Sequence, residues 1–381
     1  MDTIALPTSN SCVPGDKVFG FFKSQVLQPN STSPFPLDSI ADFSLKLLLY
    51  ALAMLSALVG NALLVFTHFC TNGARSVGSS FIASLALYGL LMATICMSIA
   101  FGEEMFKKWP FGDGVCKLKH FTQATLGMVG MLMHTGVALN NFLKVYRPFN
   151  SFWTSTITAN IIVISWLAAM TSASPQFFVH RRVAVVYKDQ NEILCRAVWP
   201  EFYKDADCNT WSPIETIYTY LVVVVIYLIP SAAISICYIL AHKKIMSRTF
   251  PGGKLLSEEQ MQTTMKVYRL YCTLAVVYII CWMPFQLSSL WTLHYGKRNV
   301  RTEATTKSKV FEFLVTYLTH INSVLNPILI FTLNKQFKVN FRKSLDFPLV
   351  VRQEDTVTFV IPSDSEVQVR SEVQVRSEVQ Q

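Results

Sequence analysis

Hydrophobic residues in this chain are concentrated in seven long segments that polar stretches separate. Each segment offers about 20 apolar residues, the number that an α-helix needs to cross the hydrocarbon core of a bilayer. The segments cover approximately residues 43–69, 79–102, 117–143, 157–179, 214–240, 268–293 and 311–333. The pattern therefore predicts an all-α integral membrane protein, built as a bundle of seven transmembrane helices.

Polar side chains interrupt the third and the seventh of these segments. The interrupting residues are His120, Gln123, His134, Asn140, His320, Asn322 and Asn326. Polar groups at membrane depth are costly and usually face the interior of a bundle. We therefore expect these side chains to point inward.

The composition agrees with a membrane protein. Of the 381 residues, 51% are hydrophobic and only 15% are charged, and the mean hydropathy is +0.36. Soluble domains carry about 25% charged residues, so this chain lacks the polar surface that water requires.

The distribution of Lys and Arg does not decide which end of the bundle faces the cytoplasm. Of the 33 basic residues, 16 lie nearer to one side and 17 nearer to the other. The positive-inside rule counts basic residues close to the membrane, and here it favours neither orientation.

Three other features place the N-terminus outside the cell. Asn30 opens an N-x-[ST] glycosylation sequon, which is useful only outside. The basic clusters at residues 242–244 and 335–343 continue directly from helix ends, which suits the anionic inner leaflet. An even number of cysteines lies on the N-terminal side, as disulfides in an oxidising compartment require: Cys12, Cys116, Cys195 and Cys208. Seven crossings then put the C-terminus in the cytoplasm.

These features divide the chain into four parts. Residues 1–42 form an extracellular segment without the pattern of a cleaved signal peptide, and residues 43–334 form the seven-helix domain. Residues 335–346 are predicted to be a short amphipathic helix on the cytoplasmic membrane surface. Residues 347–381 contain the repeat SEVQVR and are predicted to be a disordered cytoplasmic tail.

A series of short motifs occurs in order through the seven segments. They are Gly60-Asn61, Trp109-Pro110-Phe111-Gly112, Cys116, Trp166, Pro230, Tyr238, Cys281-Trp282-Met283-Pro284, Asn322-Ser323 and Asn326-Pro327. In this conjunction, residues 43–345 resemble the rhodopsin-like (class A) G-protein-coupled receptors. The resemblance implies a receptor in the plasma membrane that transmits ligand binding to intracellular signalling proteins.

The resemblance also implies a disulfide between Cys116 and Cys195. Residues 181–186 and 193–198 flank a polar turn, a pattern typical of two strands around Cys195. The Trp199-Pro200-Glu201 that follows is similar to this loop in neuropeptide receptors of the tachykinin and neuropeptide Y type. Cys12 and Cys208 form a second bridge or remain free thiols; both alternatives stay open.

The positions that would contact a ligand indicate a peptide. Gln123 stands where amine receptors carry an aspartate, so a buried ammonium would lack its counter-ion. His320 stands where visual pigments carry the retinal lysine, which excludes retinal. We expect no cofactor and no metal, and a peptide pocket lined by Gln123, Trp199, Trp282, Phe285, Gln286, Glu312 and His320.

Several of these residues have a second interpretation. Gln123 and His320 could make hydrogen bonds between helices instead of contacting a ligand. Trp282 suits a packing switch beneath the ligand, and Glu312 could pair with Lys309 instead of a basic ligand group.

The motifs at the predicted cytoplasmic end depart from the family pattern. The family's Asp-Arg-Tyr triplet, whose arginine contacts the G protein, is replaced by Asn140, Asn141 and Phe142. The tyrosine expected three residues after Pro327 is Ile330. We expect the switch at this end to involve Asn140, Asn141, Phe142, Tyr238, Asn326 and Pro327.

A second departure concerns the sodium site of the family. Its helix-two aspartate is Gly89 and its helix-three serine is Gly130, so two oxygen ligands are absent and sodium binding should be lost. His134 is expected to fill space beside these glycines, with pH sensing as the alternative.

Two functional hypotheses follow. The first is a receptor for an extracellular peptide that couples to a heterotrimeric G protein or arrestin, and the basic residues Lys243, Lys244, Lys266 and Arg269 favour it. The second is a scavenger or decoy receptor that does not signal through G proteins, and Asn141 and Ile330 favour it. Membrane lipids are expected partners and nucleic acids are not. The sequence lacks the inverted repeats of transporters, the charged rings of channels, and enzyme motifs such as HExxH or GxSxG.

Overall fold

The structure is a computed structural model of the chain. It describes residues 17–20, 25–28, 40–70, 77–106, 108–147, 153–187, 191–204, 210–247, 257–296, 306–334, 337–339, 341–342, 351–353 and 356–358. Within these ranges, seven helices are long and apolar enough to cross a membrane.

The seven helices match the seven predicted segments. They are α1 Ile40–Cys70, α2 Val77–Phe106, α3 Asp113–Tyr146, α4 Ser155–Val179, α5 Pro213–Met246, α6 Glu258–Trp291 and α7 Thr306–Leu333. The start of α6 lies well before the predicted residue 268. Its first turns are polar and rich in Glu and Gln, which form helix readily but carry no hydrophobic signal.

Two of the helix starts are fixed by capping side chains. The Thr154 hydroxyl accepts a hydrogen bond from the Ile157 amide before α4, and the Ser212 hydroxyl accepts one from the Glu215 amide before α5. Each satisfies an amide that has no partner inside its helix. Pro213, which has no amide hydrogen to satisfy, occupies the first turn of α5.

Three π-helical turns depart from regular α geometry. They lie at Met92–Met97 in α2, at Val222–Leu228 in α5 and at Thr292–Gly296 directly after α6. The turn in α5 ends two residues before Pro230, where the missing amide hydrogen interrupts the backbone ladder. No hydrophobic pattern signals the other two turns.

Helix α3 is the most buried of the seven. In its most apolar stretch 67% of residues are buried, compared with 22% in α4 and in α5. The prediction that polar side chains of α3 and α7 point inward is confirmed for those that are fully buried: Gln123, His134, Asn140, His320, Asn322 and Asn326. His120 is only half-buried.

A β-hairpin lies over one end of the bundle, as the sequence predicts. Its strands are β3 His180–Tyr187 and β4 Asn191–Ala197, which pair antiparallel with Arg182 opposite Cys195. A disulfide joins Cys195 to Cys116 at the start of α3, with the two Cα atoms 5.7 Å apart. We call this the disulfide end of the bundle, and the end that carries Asn140, Asn141 and Phe142 the opposite end.

Strand β2 Gln25–Gln28 adds to the sheet of the hairpin, and three further short strands form a second sheet. These three are β1 Lys17–Gly20, β5 Glu201–Lys204 and β6 Thr210–Trp211. Strand β2 pairs parallel to β3, and β1 pairs antiparallel to β5, which in turn pairs with β6. Both β1 and β2 come from the N-terminal segment, where runs of four residues were too short to indicate strands.

The C-terminal part is described in a few places only. Residues 337–339 and 341–342 are helical and fall inside the predicted surface helix at 335–346. Within residues 347–381 the structure describes two short strands, β7 Val351–Gln353 and β8 Thr356–Thr358, which pair antiparallel, and the disorder of the tail stays a prediction. Their β-branched Val and Thr residues favour extended backbone. Asn30, Cys12, Cys208 and the SEVQVR repeat lie outside the described residues.

Peptide mapping without reduction is expected to recover Cys116 and Cys195 in one linked fragment. Replacing both by serine should lower the melting temperature of the purified protein, because the bridge restrains a long loop in the unfolded chain and typically contributes about 2–4 kcal/mol. The double variant Cys237→Ser, Cys272→Ser is the control, since both cysteines are free. Recovering Cys116 and Cys195 alkylated from the unreduced protein would contradict the bridge.

Candidate functional site

A cavity of about 480 Å³ lies in the disulfide end of the bundle. Side chains of α3, α5, α6 and α7 form most of its wall, and residues of the β3–β4 hairpin complete it. Ligand pockets in proteins typically measure about 300–1,000 Å³ and combine an apolar lining with a few polar groups. This cavity has the size and the mixed lining of such a site.

The structure brings together six of the seven residues that the sequence nominates for a ligand pocket. Those that line the cavity are Gln123, Trp199, Trp282, Phe285, Gln286 and Glu312. Gln123 is buried, whereas Glu312 is exposed and leaves its carboxylate accessible. The side chain of Lys309, the alternative partner of Glu312, lies outside the described part of the chain.

His320 is corrected by the structure, because it does not line the cavity. Its ring faces α1 and lies 5.9 Å from the ring of Tyr50. The side chain is completely buried, and within the described residues neither ring nitrogen has a hydrogen-bond partner. Position 320 therefore supports contact between α7 and α1, and the hydrogen bond between helices that the sequence suggests is absent among the described residues.

Two glycines of α3 make room for the aromatic side chains at the inner surface of the cavity. A Cβ atom on Gly127 would lie 2.6 Å from the Trp282 ring, and one on Gly130 would lie 2.5 Å from the Tyr278 ring. The Tyr278 hydroxyl donates a hydrogen bond to the Gly127 carbonyl. Trp282 also meets Phe285 edge-on, with ring centroids 5.9 Å apart. Trp282 thus both packs against α3 and lines the cavity, as the sequence interpretation allows.

Charged residues divide the cavity wall by sign. Lys119 and His120 on α3, together with His180 and Arg196 on the hairpin, line one part of it. The carboxylates in the lining are those of Glu215 on α5 and Glu312 on α7. Lys119, His180, Arg196 and Glu215 carry no signal of this role in the sequence, since positions in loops and near helix ends have no fixed orientation before the fold is known.

Lys119 is held by a neighbouring carboxylate. Its ammonium lies 2.5 Å from Glu103 Oε2 of α2 and 5.6 Å from the centre of the Trp109 ring. The lysine side chain is only 8% exposed. A buried charge requires such a partner, so the ammonium of Lys119 is largely neutralised within the protein.

His120 and His180 form a stacked pair beside this lysine. Their ring centroids are 3.8 Å apart and the rings are nearly parallel, at 10°. His180 Nδ1 lies 3.0 Å from the Gln176 carbonyl oxygen, which only accepts, so Nδ1 carries the proton. Burial lowers the pKa of His180 to about 4, with the Gln176 hydrogen bond raising it and the Lys119 charge lowering it further. His180 is therefore neutral at physiological pH.

A buried amide network lies deeper in the bundle. The Asn61 amide donates to the carbonyls of Ala57, at 2.7 Å, and Ser323, at 3.0 Å. The Asn322 amide donates to the Tyr88 hydroxyl at 3.2 Å. A Cβ atom on Gly89 would lie 2.5 Å from the Asn61 side chain, so Asn61 fills the space that a side chain at position 89 would need. The loss of sodium binding stays a prediction, and the neutral character of this network supports it.

Neutral residues also form the contacts at the opposite end. Asn140 and Asn141 are buried at the end of α3, and Tyr238 of α5 is buried next to Asn141. Within the described residues the Asn141 Nδ2 and the Tyr238 hydroxyl have no hydrogen-bond partner. The Tyr268 hydroxyl of α6 donates to the Tyr238 carbonyl at 3.2 Å. At the opposite end these residues are therefore closely packed, and no ion pair forms among them.

The end of α7 is apolar where the family has a tyrosine. Ile330 is completely buried, and the ring of the next residue, Phe331, meets Phe337 and Phe341 edge-on at 5.0 and 5.8 Å. Pro327 lies against α1, where a Cβ atom on Gly60 would be 2.8 Å from the proline ring. Phe142, the third residue of the triplet, is half-buried and its ring lies 4.6 Å from that of Tyr146.

Seven membrane-length helices enclose a cavity below a disulfide-linked hairpin. Residues 60–329 match the family described as 7 transmembrane receptor (rhodopsin family), so the chain belongs to that family. The seven helices and the family together confirm the prediction of a multi-pass protein of the plasma membrane. The prediction that the chain is not an enzyme is also confirmed, since the family consists of receptors.

The chain is similar to several receptors for peptides. A QRFP-like peptide receptor of Branchiostoma floridae is 25% identical over 309 residues, which cover 79% of this chain and 77% of that receptor. The tachykinin-like peptides receptor 86C of Drosophila melanogaster is 23% identical over 330 residues, or 84% and 62% of the two chains. The allatostatin-A receptor of Bombyx mori is 26% identical over 299 residues, or 76% of each chain.

The variant Gly89→Ala is expected to lower the melting temperature of the purified receptor. The new methyl group would overlap Asn61, which two hydrogen bonds hold in place, and such overpacking costs about 1–3 kcal/mol. Gly114→Ala is the matched control, since a Cβ atom there meets nothing within 4 Å. Its melting temperature should stay the same or rise slightly. Equal melting temperatures for the two variants would show that Asn61 moves aside freely.

Proposed function

We propose that this chain is a receptor for an extracellular peptide and that it passes the binding event to intracellular signalling proteins. The observation that carries the proposal is the cavity at the disulfide end. Six of the residues that the sequence nominates line it together: Gln123, Trp199, Trp282, Phe285, Gln286 and Glu312. The similar receptors from Branchiostoma, Drosophila and Bombyx support it, since their names identify them as receptors for peptides.

The lining of the cavity favours a peptide over a small amine. Gln123 is neutral and buried at the position where an amine would need a carboxylate. Its amide can donate to one peptide group and accept from another. The carboxylate of Glu312 is exposed at the far side and suits a basic group of the ligand. An extended ligand with several polar groups uses these separated positions better than a single ammonium does.

The disulfide end is proposed to face the outside of the cell. A disulfide persists in an oxidising compartment and is rare in the cytosol. The bonded pair Cys116 and Cys195 lies at this end, whereas the free cysteines of the described residues all lie in the membrane-spanning helices. This orientation puts the N-terminus outside and leaves the sequon at Asn30 accessible for glycosylation.

The opposite end is then the proposed contact for a heterotrimeric G protein or arrestin. Asn140, Asn141, Phe142, Tyr238, Asn326 and Pro327 are the residues that we assign to the switch. Among the described residues, Asn141 Nδ2 and the Tyr238 hydroxyl are buried next to each other and have at most a weak interaction with one another. Opening of this end would let both groups find partners in a bound protein or in water.

A second candidate function rests on the same end. Asn141 is shorter than the family's arginine and uncharged, and the buried Ile330 offers no hydroxyl. A chain with these substitutions could bind peptide and clear it as a scavenger or decoy, without activating G proteins. Lys243, Lys244, Lys266 and Arg269 on α5 and α6 favour the signalling function instead, since they provide basic surface beside the switch.

A peptide-library screen on cells that express the receptor separates these functions. We expect at least one peptide to activate a G protein or recruit arrestin in expressing cells only. Peptides that bind and are internalised while both readouts stay silent would support the decoy function. Absence of binding by any peptide at normal surface expression would contradict both.

Restoring the family triplet is expected to raise G-protein activation. The variant Asn140→Asp, Asn141→Arg, Phe142→Tyr introduces a charged, multi-donor side chain that Asn141 lacks. A charge-assisted hydrogen bond contributes about 1.5–3 kcal/mol, so coupling should rise on the order of tenfold or more. The measurement is nucleotide exchange on a G protein at matched surface expression, under agonist or at basal level.

Ile330→Tyr provides the comparison for this variant. If the triplet alone has no effect but the triplet with Ile330→Tyr increases exchange, Ile330 is the dominant block. If neither variant couples better than the original protein, the assignment of the switch to these residues is wrong.

A further inference from the structure

The hairpin side of the cavity carries two cationic side chains, Lys119 and Arg196, and two histidines. Lys119, His120, His180 and Arg196 line this side together. The His120 ring stacks on His180, with ring centroids 3.8 Å apart, and His120 follows Lys119 directly on α3. Like charges in a partly buried site repel each other unless an anion lies between them.

Among these side chains, Arg196 is the charge that remains available. Lys119 is bound to Glu103, and His180 is neutral at physiological pH. Among the described residues no hydrogen bond or ion pair holds the Arg196 guanidinium, and its side chain is exposed. Its five donors match the geometry of a carboxylate.

Strand β3 places a second arginine next to Arg196. Arg196 lies directly opposite Arg181 in the antiparallel pairing of β4 with β3. Residues directly opposite each other project from the same face of a sheet, and like charges in these positions are destabilising. Asp113, whose carboxylate accepts a hydrogen bond from the Arg182 amide, supplies an anion near Arg181, whereas no carboxylate of the described residues pairs with Arg196.

The carboxylates of the cavity lie on other helices. Glu215 on α5 and Glu312 on α7 line the cavity, and Arg196 pairs with neither of them. A ligand that carries an acidic group as well as a basic group would complement both parts of the wall.

We infer that Arg196 forms a subsite for a carboxylate of the peptide ligand, on the part of the cavity wall that His120 and His180 also line. The carboxylate is the free C-terminus of the peptide or the side chain of an Asp or Glu within it. In the bound state the acidic group lies toward the hairpin and a basic group lies toward Glu312. The inference rests on the proposed function, because it describes how a peptide is recognised in this cavity.

A matched peptide library tests the subsite directly. Each sequence is prepared with a C-terminal acid and with a C-terminal amide, and in each form with its Asp and Glu kept or changed to Asn and Gln. The library is incubated with the full-length receptor in lipid nanodiscs, and retained peptides are identified and ranked by mass spectrometry. We expect the retained peptides to carry at least one carboxylate, and the four forms show whether it is the C-terminus or a side chain.

The variant Arg196→Gln is expected to lose this preference. Affinity for the acidic form of a retained peptide should fall roughly tenfold or more, as expected for the loss of a charge-assisted hydrogen bond, while its neutral form changes little. Arg182→Gln is the matched control, since Arg182 is an exposed arginine of the same hairpin and does not line the cavity. It should bind both forms like the original protein.

Each result supports or overturns the subsite. Equal retention of acidic and neutral forms by the original receptor would overturn it while leaving peptide recognition intact. Equal losses for Arg196→Gln and Arg182→Gln would also overturn it, because a general effect of the hairpin charge would then explain the preference. If the folded receptor, checked by its melting temperature, retains no peptide at all, the proposed function fails and the subsite fails with it.

Discussion

The close packing of α6 against α3 determines how this bundle is arranged. Tyr278 and Trp282 lie where side chains on Gly130 and Gly127 would otherwise be, at distances that no Cβ atom could occupy. Interiors of proteins are packed densely, so two bulky rings fit here only because α3 carries no side chain at either position. The Tyr278 hydroxyl then bonds the Gly127 carbonyl and ties the two helices together. The depth of the cavity and the position of Trp282 follow from this contact.

A second glycine on another helix likewise leaves room for a side chain of a neighbouring helix. Gly89 of α2 admits Asn61, whose amide bonds carbonyls of α1 and α7. The contacts around position 89 are thus made by neutral amides and hydroxyls. At the opposite end, Asn141 and Tyr238 likewise replace a charged contact by two neutral groups. A receptor built in this way depends on packing more than on charge to hold its closed state.

The sequence predicts the helices, the hairpin and the disulfide, because hydrophobic length, turn residues and the family motifs leave a local signal. It also predicts six residues of the cavity wall, since positions such as Gln123, Trp282 and Phe285 sit on helices of known order. It misplaces His320, because the rotation of α7 about its axis follows from packing against Tyr50 of α1.

Other features of the site depend on contacts between distant parts of the chain. The stack of His120 on His180 joins α3 to a loop strand, and the pairing of Lys119 with Glu103 joins α3 to α2. Neither contact can be predicted from the sequence of a single helix or strand. The strands β1 and β2 were missed for a related reason, since their pairing partners supply the structure that four residues cannot specify.

A double-mutant cycle on Gly130 and Tyr278 tests the packing of α3 against α6 most directly. Gly130→Ala should lower the melting temperature of the receptor, because its methyl group meets the Tyr278 ring, and Tyr278→Leu should lower it through lost contacts. In the double variant the smaller side chain leaves room for the methyl group, so the combined loss should be clearly less than the sum of the two. Strictly additive losses would contradict the account, since they would show that the two residues do not share this space.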